Sequence, residues 1–171
     1  MLSDARPLLA AAPVIPVLTI KDASVAVPLA RALVAGGLPV IEVTLRTPQA
    51  LGAIREIARE VPEAVVGAGT ITRVEDIQVA TAAGARFLVS PGTPAALAVG
   101  LSSCPVPVLP GCATVTEAMA LAAYGFTALK FFPAEPSGGA AFLKSLSGPL
   151  PGLVFCPTGG IDAAKAPSYL A

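Results

Sequence analysis

Seven short apolar runs recur along the chain: Val14–Ile20, Val40–Leu45, Ala64–Ala68, Arg86–Ser90, Val106–Leu109, Ala128–Phe132 and Leu153–Cys156. They are rich in Val, Ile, Leu and Phe and do not alternate with polar positions, as expected of strands buried on both faces of a parallel sheet. The segments between them carry helical periodicity instead. Val25, Leu29 and Leu33 share one face, with Ser24 as a candidate N-cap, and Leu51, Ile54, Ala58 and Val61 share another. Thr47-Pro48 and Thr93-Pro94 have the form of a cap followed by proline at the first helical position. Thr72 with Glu75 and Thr114 with Glu117 have capping-box spacing. Asp162 is placed to cap a last helix, and Gly36-Gly37, Gly84, Gly125 and Gly148 stand where helices should stop.

The pattern is a βα unit repeated seven times over residues 1–171, after a lead-in segment of residues 1–12. Repeated βα units build either a doubly wound open sheet or a (β/α)8 barrel. No GxGxxG follows the first strand, and polar residues stand instead at the C-terminal ends of several strands: Glu42, Thr70, Ser90, Lys130 and Thr158. Chemistry spread over many strand ends is the barrel pattern. The expected fold is therefore an α/β (TIM-type) barrel in a single domain. Seven strands in 171 residues fall short of the roughly 200 residues a complete barrel needs. The last βα unit is expected to be missing, leaving the edges of the first and seventh strands unpaired.

Composition narrows the function. Apolar residues make up 54% and charged residues 13%, with a mean hydropathy of +0.77. Even so, Gly, Pro or a charge interrupts every apolar run before the roughly 18 residues a spanning helix requires. The opening MLSDARPLLAAAP lacks the charge pattern and apolar length of a signal peptide. Eleven basic residues balance eleven acidic ones, which predicts no affinity for nucleic acid or an anionic membrane. Cys104, Cys112 and Cys156 are odd in number and lack metal-type spacing, which predicts free thiols in a reducing cytoplasm. The chain contains no histidine. That excludes Ser-His-Asp and Cys-His mechanisms and any His-ligated metal.

Lys130, in ALKFFPAE, is surrounded by Leu129, Phe131 and Phe132; its direct neighbours in the strand point to the opposite side, so Lys130 can face the barrel interior. Burial disfavours its charged form, and the neutral amine is the nucleophile a Schiff-base enzyme uses. A strand-end lysine reaching out to solvent is the competing reading. Glu42, inside an apolar strand, needs a partner; pairing with Lys130 and shuttling protons are compatible roles. Arg46 ends the same strand as a fork for a carboxylate, or as an ordinary loop arginine. Thr70 offers a hydroxyl where Gly67 and Gly69 leave room for a ligand, or it caps a helix. In CPTGGID, the amides of Gly159 and Gly160 suit a phosphate, or simply form a tight turn.

Together, PVIPVLTIKDASVAVPLARALVAGG, IEVTLRT, EVPEAVVGAGT, Ser90-Pro91-Gly92, LPGCATVTE, LKFFPAE and FCPTGGI closely resemble the aldolases acting on 2-keto-3-deoxy-6-phosphogluconate (KDPG) and 4-hydroxy-2-oxoglutarate (KHG). The resemblance runs from about Pro13 to the last residues. It implies a class I aldolase: a (β/α)8 barrel, a cytoplasmic homotrimer, no cofactor or metal, and a 2-keto acid substrate in sugar-acid breakdown of the Entner–Doudoroff type. It further implies that Lys130 forms the Schiff base and that Glu42 moves protons with a bound water. Arg46 and Thr70 would hold the pyruvyl carboxylate, and Pro91 and Phe132 would wall its pocket. Thr158, Gly159 and Gly160 would face the phosphorylated end. The family continues into an eighth strand carrying a Gly-Gly-Ser phosphate motif, so an incomplete phosphate site is expected here. Two alternatives remain at this point: an aldolase preferring KHG, giving pyruvate and glyoxylate, and an inactive barrel serving as an assembly subunit.

Overall fold

The computed structural model describes residues 3–170. The first two residues of the lead-in segment and Ala171 lie outside that range. All seven expected strands are present and pair in parallel. They are β1 (Val17–Leu18), β2 (Val40–Thr44), β3 (Val65–Gly69), β4 (Leu88–Val89), the split pair β5 (Val108–Leu109) and β6 (Gly111–Cys112), β7 (Ala128–Phe131) and β8 (Val154–Pro157). The split has a local cause: Pro110 has no N–H to continue the ladder. Its carbonyl still accepts from Lys130 N at 2.9 Å, so β1-β2-β3-β4-β5 and β6-β7-β8 continue one another around a curved wall. Proline also shortens β1 from the expected Val14–Ile20 to two residues, since Pro13 and Pro16 cannot donate, although the Pro16 carbonyl accepts from Glu42 N at 2.9 Å.

Helices alternate with the strands: α1 (Arg6–Ala11), α2 (Ala26–Ala35), α3 (Ala50–Glu60), α4 (Val74–Ala82), α5 (Ala95–Ser102), α6 (Val115–Ala123), α7 (Gly139–Leu146) and the short α8 (Ala166–Leu170). The Thr114–Glu117 capping box forms as expected: Thr114 Oγ1 accepts from Glu117 N at 3.2 Å, and Glu117 accepts from Thr114 N at 3.0 Å. The Thr72–Glu75 box does not. Asp76 instead accepts from the Thr72 and Arg73 amides, each at 3.0 Å, because α4 starts one residue later and brings Asp76 back over its N-terminus. Thr47 and Ser24 are likewise not caps: Gln49 precedes α3, the Thr47 hydroxyl donates to the Ile20 carbonyl, and Asp22 accepts from Ser24 N. Thr93 precedes Pro94, which itself occupies the cap of α5. Beyond Asp162 the chain forms turns before α8 begins at Ala166, later than expected; Asp162 accepts from Ala164 N and Lys165 N and so caps those turns. No helix among the described residues is long and apolar enough to cross a membrane.

Period-2 alternation along the strands separates two apolar layers. Ile41, Val43, Val66, Ala68, Leu88 and Leu129 point outward and pack against helix residues such as Ile54, Ile57, Leu101 and Leu121. Val40, Phe87, Val89, Leu109 and Ala128 point inward, where Ala5, Leu8 and Leu9 of the N-terminal segment close one end. Lys130 shares parity with Ala128, and Glu42 with Val40, which sends both charged side chains into the barrel. Phe131 faces out and stacks on Phe142 of α7, ring centroids 5.2 Å apart and nearly parallel. Among the described residues no strand pairs with the outer edges of β1 and β8. Val17 and Val154, on these edges, remain 40% and 41% exposed, so the wall has a lateral seam between them.

Candidate active site

The inward face of β7 carries Lys130 and that of β2 carries Glu42. Both are 4% exposed. Lys130 Nζ lies 3.4 Å from Glu42 Oε1 and 3.5 Å from Oε2. Burial pushes the Glu42 carboxyl above its ordinary range; the charges of Lys130 and Arg46 oppose that push without cancelling it. Glu42 is therefore suited to take up and give back a proton beside the lysine nitrogen. The Phe132 ring centroid is 5.5 Å from Lys130 Nζ, within cation–π range.

The two glycines of β3 explain where Glu42 lies. A Cβ at Gly69 would overlap the Glu42 carboxylate, and a Cβ at Gly67 would overlap the Phe87 ring. Sequence reading assigned their empty space to a ligand. The structure assigns it to two side chains, one of which is half of the central ion pair.

Arg46 Nε donates to Thr70 Oγ1 at 3.0 Å. No other nitrogen of this guanidinium meets a protein acceptor among the described residues, so its outer edge is available to an anion. Thr70 has φ +63°, the left-handed region that β-branched residues rarely occupy. Backbone strain of this kind persists only where the surroundings impose it, and here it turns the hydroxyl onto Arg46. Pro91 lies against Gly111, the register partner of Lys130.

A cavity of about 620 Å³ contains Lys130, Glu42, Phe87, Cys156, Thr158 and Gly159 and extends to the seam between β1 and β8. Arg46, Thr70, Pro91, Phe132 and Gly160 are outside its lining. Gly159 and Gly160 have φ of +105° and +79°. Their N–H groups donate to no protein acceptor among the described residues, while their carbonyls accept from Glu135 N and Lys165 Nζ. Among the described residues Thr158 Oγ1 meets only the Cys156 carbonyl, two positions earlier, at 3.5 Å.

A profile of the KDPG and KHG aldolase family matches residues 6–171. The chain belongs to this family. The KHG/KDPG aldolase of Escherichia coli K12 is 47% identical over 169 residues, covering 99% of this chain and 79% of that protein. The crystal structure of the Legionella pneumophila KDPG aldolase, with pyruvate captured as a covalent carbinolamine, superposes with a TM-score of 0.93 at 44% identity, covering 96% of this chain and 80% of that one. The Zymomonas mobilis ZM4 aldolase, solved with 3-phosphoglycerate, gives 0.92 at 48% identity, covering 96% and 78%. The expected (β/α)8-type fold of this aldolase family stands.

Two groups near this candidate site were not legible in the sequence. Cys156, expected only as a bland thiol, is in register with Lys130 and lines the cavity. Its thiol is pushed up to about 11, chiefly by burial and then by the Glu42 charge. Glu135 accepts from Tyr169 Oη and lies 3.3 Å from Lys165 Nζ, which ties the C-terminal turns to the loop after β7. No motif joins those three positions, so only the fold could reveal them. All three cysteines are free, as expected.

Proposed function

We propose that this chain is a class I aldolase that reversibly cleaves KDPG to pyruvate and glyceraldehyde 3-phosphate. The observation that carries this reading is the buried Lys130–Glu42 pair, at 3.4 Å, at the C-terminal end of a barrel strand. Lys130 Nζ adds to the C2 ketone to form a carbinolamine, and loss of water gives a protonated imine. Glu42, acting directly or through a water, takes the proton of the 4-hydroxyl. The C3–C4 bond then breaks, its electrons enter the imine as an enamine, and the aldehyde leaves. Glu42 returns a proton to C3, and water hydrolyses the imine to release pyruvate. A carboxyl group pushed upward by burial suits this exchange of roles. Arg46 and Thr70 hold the pyruvyl carboxylate, with Pro91 and Phe132 as walls. Thr158 and the free amides of Gly159 and Gly160 face the phosphorylated end. No cofactor enters this scheme, because the imine is itself the electron sink.

KHG shares the pyruvyl half of the substrate, so comparing turnover of KDPG with KHG measures what the phosphate end contributes. The inert-subunit reading is disfavoured, because a scaffold has no use for a buried lysine and carboxylate in contact. A cytoplasmic homotrimer rests on the family resemblance and is measured by sedimentation. The deciding experiment is incubation with pyruvate and borohydride, followed by intact mass and peptide mapping. A single reduced adduct on Lys130 is expected. A folded sample without it would sink the reading.

A further inference from the structure

The break at Pro110 leaves Gly111 at the centre of the wall without an ordinary strand partner on its β4 side. Two hydroxyls replace that partner. Gly111 N donates to Ser90 Oγ at 3.1 Å, Thr93 Oγ1 donates to the Gly111 carbonyl at 3.0 Å, and the two hydroxyl oxygens are 2.9 Å apart. Counting protons fixes the direction. The single Thr93 hydroxyl proton goes to the Gly111 carbonyl, so Ser90 must donate to Thr93. The result is a closed ring: Gly111 N–H to Ser90, Ser90 to Thr93, Thr93 to the Gly111 carbonyl. Ser90 is fully buried, and a Cβ at Gly111 would overlap the backbone of Ser90 and Pro91. Ser90-Pro91 therefore lies directly on the Gly111 Cα.

On the other side, Gly111 is in register with Lys130. The neighbouring bonds, Lys130 N to the Pro110 carbonyl at 2.9 Å and Phe132 N to the Cys112 carbonyl at 3.0 Å, bracket the lysine. We propose that Ser90 and Thr93 are positioning residues: their hydroxyl ring clamps the Pro91 turn to Gly111 and so sets the distance between the Pro91 wall and Lys130. Neither hydroxyl has a proton left for substrate, so neither acts in the chemistry itself. This inference rests on Lys130 being the Schiff-base lysine and Pro91 a wall of its pocket.

The test is the pyruvate dependence of borohydride trapping on Lys130 in Ser90→Ala, Thr93→Val and Thr93→Ser, with folding followed by circular dichroism. A misplaced wall weakens capture of the keto acid. Half-saturating pyruvate should rise about tenfold in Ser90→Ala and Thr93→Val, with a smaller change in the maximal trapping rate. Thr93→Ser, which keeps the hydroxyl, should return it to the wild-type value. A purely structural role would reduce the trapped amplitude but leave half-saturation unchanged, which overturns the proposal. So would failure of both hydroxyl-deleting variants to fold, since that assigns the ring to stability alone. Absence of the adduct in the wild-type protein overturns the Schiff-base reading and this inference together; normal trapping in every variant overturns this inference only.

Discussion

Glu42 and Glu135 each stand beside a lysine, at 3.4 Å and 3.3 Å, yet their surroundings move them in opposite directions. Glu42 is enclosed by the barrel, and burial raises its carboxyl. Glu135 stands at the rim, where hydrogen bonding from Tyr169 and Lys165 lowers its carboxyl. The lysine contacts are alike; what differs is burial around Glu42 and the added Tyr169 hydrogen bond at Glu135. At the rim, water screens both charges and the pair works as a surface tie. Inside, an ion pair is expensive to maintain, and burial raises the Glu42 carboxyl toward the range in which it can exchange a proton.

The sharpest break of this comparison exchanges the lysines for methionine. Lys130→Met should abolish the pyruvate adduct and all aldol cleavage, whereas Lys165→Met should still give the adduct on Lys130 in borohydride trapping. Next in size, Glu42→Gln should lower kcat about 10²–10⁴-fold, the usual loss of a general base, read by coupled assay of pyruvate release. In the wild type, activity should fall as pH drops through the raised Glu42 value, and Glu42→Gln should lose that acid limb. Gly69→Ala should lower kcat by about 100-fold through displacement of the carboxylate, in a protein that remains folded by circular dichroism.

The smallest effect has a sign that tells the two glutamates apart. Because Glu42 is raised on folding, its contribution to stability is complete below the ordinary value of 4.5 and is lost as pH rises through its folded value. Glu135 is lowered, so its contribution is present above 4.5 and lost as pH falls. Melting temperatures of Glu42→Gln and Glu135→Gln, each subtracted from wild type across pH, should therefore slope in opposite directions. Equal slopes would remove the distinction between the pairs.

Much of this arrangement was legible before any coordinates. Apolar runs without alternation announced seven inward-and-outward-buried strands, and strand parity sent Lys130 and Glu42, 88 positions apart, to the same side. Other features were hidden for identifiable reasons. Glu75 and Asp76 are adjacent acids, and spacing alone does not decide which one folds back over the helix start. Prolines 13 and 16 look innocuous inside an apolar run but remove the donors that would have lengthened β1. Glycines 67 and 69 signalled room without saying whose room it was. The Ser90–Thr93 ring spans a loop and a broken strand, and no periodicity links its members.

The empty space at Gly67 and Gly69 has a consequence for reading variation in this molecule. A saturation mutagenesis map ranks positions by lost activity, and these two should rank next below the reacting residues although neither contributes an atom to the reaction. Their contribution is volume left unfilled. A map of this kind would thus draw the active site one strand wider than its chemistry, and only the coordinates tell the residues that react from those that make way.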